Sequence, residues 1–231
     1  MARKLGWPHV GAVMAGALAA PVVHAQGCQA ESGARVPVVV ELYTSEGCNS
    51  CPPADRWLST LKDKPGVLAA AFHVDYWDRL GWKDRFASAR YTERQASQQA
   101  AAGARYSYTP QVVVNGRDWR RWPDLPAPGT HAPVRLSMQR VGEQVELQVQ
   151  PVGDTQQRFS LWWVALEDGH ASDVKAGENT GVTLRHDHVV RLYGNVAAPR
   201  GEGGRMLRVL AVVLDAASGA PVQALQLRCA G

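Results

Sequence analysis

The residues best suited to chemistry are Cys48 and Cys51 in the run Cys48-Asn49-Ser50-Cys51. This spacing lets two thiols close a disulfide, or lets the second thiol resolve a mixed disulfide made by the first. The pair stands where a β-branched apolar run, Val36 to Tyr43, gives way to a helical stretch, Pro53 to Lys62, with Leu58 and Leu61 on one face. A cysteine at a helix start meets free backbone N–H groups and the positive end of the dipole, both of which stabilise a thiolate. Cys48 is therefore the expected nucleophile and Cys51 the resolving thiol. Pro52 and Pro53 are compatible with a helix start, because the N–H groups they lack would have had no intrahelical partner. The same spacing also serves a purely structural disulfide or half of a zinc site. Zinc would need two further ligands, and Cys28 and Cys229 do not form a second such pair. The reading assigns no metal and no cofactor.

Other residues gather around this pair once the elements are placed. Val67 to Val74 is a second apolar run, Lys83 to Ala102 is helical in composition and ends at Gly103, and Gln111 to Val114 is a third strand closed by the turn Asn115-Gly116. Strands alternating with helices make an α/β half. If its first two strands are parallel neighbours, their C-terminal ends share the sheet edge where open α/β proteins place ligands. His73, Asp75, Tyr76, Trp77 and Asp78 then lie near Cys48. Tyr76, Trp77 and Trp82 are candidates for an apolar wall facing a peptide or small thiol; the alternative is that they only cover the end of the sheet. Pro110 stands just before the third strand, where a proline does not have to donate to a ladder, and the Thr109–Pro110 bond is a candidate cis bond. Glu41 interrupts the apolar strand Val38 to Tyr43. Burial would raise its pKa, and a carboxyl there is a candidate proton shuttle for Cys51. Glu46 would oppose a Cys48 thiolate if it points inward.

The second half has a different texture. Trp122 to Gly129 packs three prolines into a linker, and after His131 apolar residues alternate strictly: Val134, Leu136, Met138; Val145, Leu147, Val149; Phe159, Leu161, Trp163. Half-buried strands alternate in this way, and their number and the turns between them predict an antiparallel sandwich. The expected architecture is an α/β domain over residues 26–122 followed by a β-rich, sandwich-like domain over 130–231. The pair of histidines in His186-Asp187-His188 reads as a solvated turn.

Composition bounds the rest. The 231 residues are 45% hydrophobic and 20% charged, with 22 Gly and 14 Pro, which fits a globular chain and excludes a disordered or collagen-like one. A formal charge of +4 without a stripe of Lys and Arg among aromatics gives no case for nucleic acid. Arg3 and Lys4 precede an apolar stretch, Val10 to Val23, and Val23-His24-Ala25 offers small residues for cleavage, so residues 1–25 read as an export signal. After its removal no membrane association is expected, and the chain belongs in the periplasm or outside the cell. In an oxidising compartment an even number of leftover cysteines usually pairs, which predicts a Cys28–Cys229 disulfide near the two mature termini, with free thiols or inter-chain pairing as the competing outcomes.

The runs VVVELYTSEGCNSCPPADRWLSTL (38–61), AFHVDYWDRLGWKDRFAS (71–88), RYTERQ (90–95), YTPQVVVNGR (108–117) and GENTGVTLRHDHVVRLYG (177–194) resemble the secreted thioredoxin-like family known as domain of unknown function 1223. The resemblance covers nearly the whole mature chain. It implies a thioredoxin-like fold with a β-rich second half, in which Pro110 packs against the disulfide and the backbone of Thr109 pairs with an extended substrate. It implies no particular reaction. One departure from the thioredoxin pattern is already visible, since no amphipathic helix follows Val114. Two functions remain open: exchange through Cys48 and Cys51 with a thiol- or disulfide-containing protein or small molecule, or a non-catalytic secreted binding protein in which their disulfide is structural.

Overall fold

The computed structural model describes residues 28–142, 144–154, 156–194 and 208–229; the proposed export signal, residues 1–25, lies outside them. The chain begins with β1 (Gln29–Glu31) and β2 (Val38–Thr44), then α1 (Pro52–Ser59), β3 (Val67–His73), α2 (Ala89–Ala101), β4 (Gln111–Val114) and β5 (Arg117–Asp118). The second half adds β6 (Val134–Val141), β7 (Gln144–Pro151), β8 (Phe159–Glu167), β9 (His170–Asp173), β10 (Thr183–His186), β11 (Val189–Tyr193), β12 (Arg208–Asp215) and β13 (Pro221–Arg228).

The expected α/β thioredoxin-like domain followed by a sandwich is not what forms. One eight-stranded mixed sheet, in the order β13-β12-β8-β11-β3-β2-β4-β5, takes strands from both halves of the chain. The joint is β11 against β3: they run parallel, with Val189 opposite Ala71, and the Ala71 N–H donates to the His188 carbonyl at 2.8 Å. The physical reason lies in β3. Its sequence Val-Leu-Ala-Ala-Ala-Phe-His is buried over most of its length, and such a strand left as an edge would expose unpaired backbone groups. β11 closes that edge. The fold is mostly β, with two α-helices among the described residues. No helix follows β4; the Asn115-Gly116 turn, both residues at positive φ, returns the chain into β5 instead.

Parity along the strands sorts the core. Val39, Tyr43, Phe72, Leu166, Leu210 and Val212 fill one face of the sheet, which α2 covers through Tyr91. The other face is covered twice. Over β2, β3 and β4, α1 packs Ala54, Leu58 and nearby Leu61 onto Val38, Val40, Leu42 and Val112. Over β12 and β13 lies a three-stranded sheet, β1-β6-β7, whose Val134, Leu136 and Met138 meet Val209, Ala211 and Leu225. Trp119 and Trp122 of the proline-rich stretch pack onto the α1 side, with the Trp57 and Trp122 rings 5.5 Å apart. Cys28 and Cys229 are joined in a disulfide that ties the start of the described chain to the end of β13.

α2 starts later than the composition of Lys83 to Ala102 implies. Asp84 is occupied otherwise, its carboxylate accepting from the backbone of Glu46 and Phe86 at 2.9 Å each, so the segment before Ala89 turns inward instead of coiling. Strands β9 and β10 pair as a separate two-stranded ribbon that packs β10 against α1.

Candidate functional site

Cys48 and Cys51 form a disulfide. Cys51 is the N-cap of α1, and Cys48 sits one turn upstream, its carbonyl accepting the Cys51 N–H at 3.2 Å. The nucleophile expected at the helix start is thus displaced by three residues, and Pro52 and Pro53 remove two of the N–H groups that would have faced it. Both cysteines are 0% exposed. Asn49 and Ser50, between them, are exposed, and the Ser50 hydroxyl lies 3.4 Å from Cys48 Sγ. The Cys48 sulfur therefore borders the exposed Asn49-Ser50 turn.

A turn from the second half of the chain docks on the cysteine loop. The side-chain amide of Asn179 donates to the carbonyls of Glu46 at 2.8 Å and Cys48 at 3.0 Å, and the Asn49 N–H donates to the Glu178 carboxylate at 3.1 Å. Gly177, at positive φ, lets the same turn approach Trp82 closely. In the sequence this turn stands out only within the run 177–194, where an asparagine carries no mark of its partner.

Of the expected aromatic wall, all three members are half-buried and each is hydrogen-bonded. Trp77 Nε1 donates to the Thr109 hydroxyl at 2.7 Å, Tyr76 OH to Gln95 at 3.3 Å, and Trp82 Nε1 to the Glu46 carboxylate at 2.8 Å. Trp77 also lies against Gly47, so it links the cysteine loop to Thr109. The Thr109–Pro110 peptide bond is cis.

Glu41 is not brought to the cysteines. It shares the α2 face of β2 with Val39 and Tyr43, where Arg94 holds it at 2.7 Å and Gln98 at 3.2 Å. The opposite parity, Val40-Leu42-Thr44, points toward α1. The Thr44 hydroxyl donates to Asp55 at 3.0 Å, and this aspartate sits four residues after Cys51 on the buried side of the helix. That four-residue spacing was the available signal, hidden because Asp55 also reads as an ordinary first-turn acid.

Around Asp55 lies a buried polar cluster. His73 Nδ1 is 2.7 Å from Asp84, His186 Nε2 is 3.4 Å from Glu46, and His186 Nδ1 is 4.0 Å from Asp55. His186 is only 3% exposed and His188 only 2%, so this segment is not the solvated turn its composition implied. The ribbon β9–β10 carries His186 over α1, a placement no local pattern encodes. Burial alone would lower the His73 pKa, but Asp84 reverses this and raises it. Burial works to raise Asp84 and Glu46; His73 holds the first carboxyl below its ordinary range, and His186 with the Trp82 N–H holds the second. Asp55 differs: burial pushes it up, against the weaker opposing influence of His186, His73 and Thr44. Among the described residues no cluster of His, Cys, Asp and Glu is arranged to hold a metal ion, and no helix is long and apolar enough to cross a membrane.

The fold and site define a mostly β protein with two disulfides, one of them a Cys-X-X-Cys pair buried just ahead of a helix. The chain belongs to the family described as "Protein of unknown function (DUF1223)", whose match spans residues 39–220. Among solved structures it is similar to protein AGR_C_4864 from Agrobacterium tumefaciens, with 28% identity and a TM-score of 0.61 over 84% of this chain and 94% of that one. It is also similar to HBP35 of Porphyromonas gingivalis, with 14% identity and a TM-score of 0.52 over 84% of this chain and 76% of that one, a likeness of fold alone. No curated protein matches.

Proposed function

We propose that this is an exported protein, periplasmic or secreted, that exchanges thiols and disulfides with a thiol- or disulfide-bearing protein or small molecule. Cys48 receives the attack and Cys51 resolves. The observation that carries the reading is the Cys48–Cys51 disulfide just ahead of α1, with the Cys48 sulfur beside the exposed Ser50. Stability gives little reason for such a bond. Cross-linking residues three apart removes only about 2 kcal/mol of chain entropy from the unfolded state, against about 5 kcal/mol for Cys28–Cys229 with its separation of 201. The two disulfides are consistent with an oxidising compartment. Thr109, Pro110 and the aromatic edge of Tyr76, Trp77 and Trp82 form the face offered to a substrate, and the Glu178–Asn179 turn must lift before Cys48 is reached. Local openings of this kind cost less than global unfolding.

The test compares wild type with Cys48→Ser in turnover of a fluorescent disulfide-linked peptide by a dithiol. The serine variant should be inactive; equal rates would remove the claim. A second reading is favoured by the complete burial of both sulfurs: the disulfide is structural and the chain binds a partner. An open cleft of about 700 Å³, lined by Arg35, Asp63, Lys64, Gln223 and Arg228, is the place for one. A Cys48–Cys51 bond that resists millimolar dithiol until the protein unfolds would favour this alternative.

A further inference from the structure

We infer that the sheet edge formed by Tyr106, Tyr108, Trp119, Arg120 and Arg121 is a docking surface for an acidic, extended segment of a partner polypeptide. The inference rests on the exchange reading above and deepens it by naming the chemistry of the partner.

The surface lies at one end of the eight-stranded sheet. Its last strand, β5, is only two residues long. Residues 103–124, on either side of β4 and β5, carry Arg105, Arg117, Arg120 and Arg121, all exposed, and no lysine. The acids of this stretch are Asp118 and Asp124, so the edge is positive. Asp118 is already engaged, accepting from the Tyr108 hydroxyl, from Gln111 at 3.1 Å and from Arg120 Nε at 2.9 Å.

Charge on an edge strand also guards against pairing with other chains, but that duty asks for no order in the side chains. Here the arginines are ordered. The Arg120 guanidinium lies 4.2 Å from the centre of the Tyr108 ring, and that of Arg121 lies 4.8 Å from the Trp119 ring. Both rings belong to anchored residues: the Tyr108 carbonyl accepts from Gln95 of α2 at 2.8 Å, and Trp119 Nε1 donates to the Asp124 carbonyl at 2.7 Å. Stacking uses the flat face of a guanidinium and leaves N–H groups on its rim, where a carboxylate can pair with two of them. Side chains held in this way lose less rotamer freedom on binding. Tyr106, 70% exposed and 6.4 Å from the Tyr108 ring, adds an aromatic of the kind enriched at interfaces.

Two lines of contact join this surface to the cysteines. Tyr108 precedes Thr109, whose hydroxyl accepts from Trp77, and Trp77 lies against Gly47, the neighbour of Cys48. On the other side Trp119 and Trp122 pack toward α1, the helix that Cys51 caps. Arg120 is thus stacked toward the α2 side of the edge and Arg121 toward the α1 side. Successive side chains of an extended peptide point to opposite sides, so carboxylates along it meet the two guanidiniums in turn. A basic segment meets like charge.

The test is the fluorescence anisotropy of a labelled peptide rich in Asp and Glu, and of its Lys counterpart, with the oxidised full chain. Wild type should bind the acidic peptide about tenfold or more tighter, and the preference should shrink at about 0.3 M salt. Arg120→Gln combined with Arg121→Gln should lose about tenfold in affinity for the acidic peptide. Arg135→Gln combined with Arg158→Gln, at exposed arginines outside this edge, should not. Equal effects of the two double variants would reduce the attraction to overall charge and overturn the inference. Equal binding of both peptides by wild type would overturn it too, as would tighter binding of a single-stranded oligonucleotide of the same charge. A wild type that binds the acidic peptide but does not turn over its disulfide-linked form would fail the exchange reading and leave the surface standing.

Discussion

The side chain of Asn179 donates to the carbonyl of Cys48 at 3.0 Å across 131 residues of sequence. With its second bond, to the Glu46 carbonyl, it pins the loop that carries Cys48. Asn179→Ala removes both bonds, and each net hydrogen bond contributes about 1 kcal/mol. Native-state reduction by dithiothreitol should therefore accelerate about tenfold or more, read by trapping the freed thiols. An unchanged rate would mean that opening occurs elsewhere.

The His73–Asp84 pair makes stability depend on pH in a stated direction. The folded state raises the His73 pKa above 6.5, so folding takes up protons near neutrality. Its contribution is full below that value and is lost as pH rises through the folded pKa. Asp84, held below 3.8, contributes above that value and loses its share as pH falls through the folded pKa. Urea unfolding of wild type and His73→Gln across this range should give curves that differ most on the acid side of neutrality and converge toward the alkaline side.

Gly47 allows Trp77 to come close. A Cβ at position 47 would stand 3.0 Å from Trp77 Cβ and 3.4 Å from the Trp77 carbonyl. Gly47→Ala should cost about 1–3 kcal/mol through overpacking and shift the Trp77 ring from its bond to Thr109. Intrinsic fluorescence and thermal melting check both effects, and a melt identical to wild type would show that the loop yields freely.

The two disulfides should differ in their effect on stability. Removing Cys28–Cys229 by paired serine substitutions should cost about 5 kcal/mol, and removing Cys48–Cys51 about 2 kcal/mol, on chain-entropy grounds. Denaturant titration of the two double variants provides the ranking, and the reverse order would contradict it.

Glu41 and Arg94 form a buried ion pair at 2.7 Å beneath α2. Glu41→Ala leaves the guanidinium without its carboxylate, a loss of about 3–5 kcal/mol that should appear as a marked fall in the urea midpoint. A variant of wild-type stability would mean that the Tyr193 hydroxyl and the aromatic rings around Arg94 suffice for it.

Local pattern carried much of the framework. The apolar run Val36 to Tyr43, the helix after Cys51, the Asn115-Gly116 turn and the alternation from Val134 onward each reflect short-range sterics and periodicity, and each became the element that its pattern predicts, with ends shifted by one to three residues. The parity of β2 is present in the sequence too: Glu41 and Thr44 point to opposite faces, so only the latter reaches α1. The α/β-then-sandwich architecture failed because periodicity describes a strand and not its neighbour. β8, β11, β12 and β13 have the composition of sandwich strands, but the uncovered edge of β3 recruits them into one sheet.

The sequence by itself pointed to one short and one long cysteine pair, the first from the Cys-X-X-Cys spacing and the second from the oxidising compartment its export signal implies, and to a helix directly after the short pair. Only the tertiary structure decided that both cysteines of the short pair are buried, that Asn179 binds the cysteine loop, and that His186 packs beside Asp55 while Glu41 pairs with Arg94 on the opposite face of the sheet. The contacts of Asn179 and His186 join residues more than a hundred positions apart through strand pairing and loop docking, which leave no local signature in the chain.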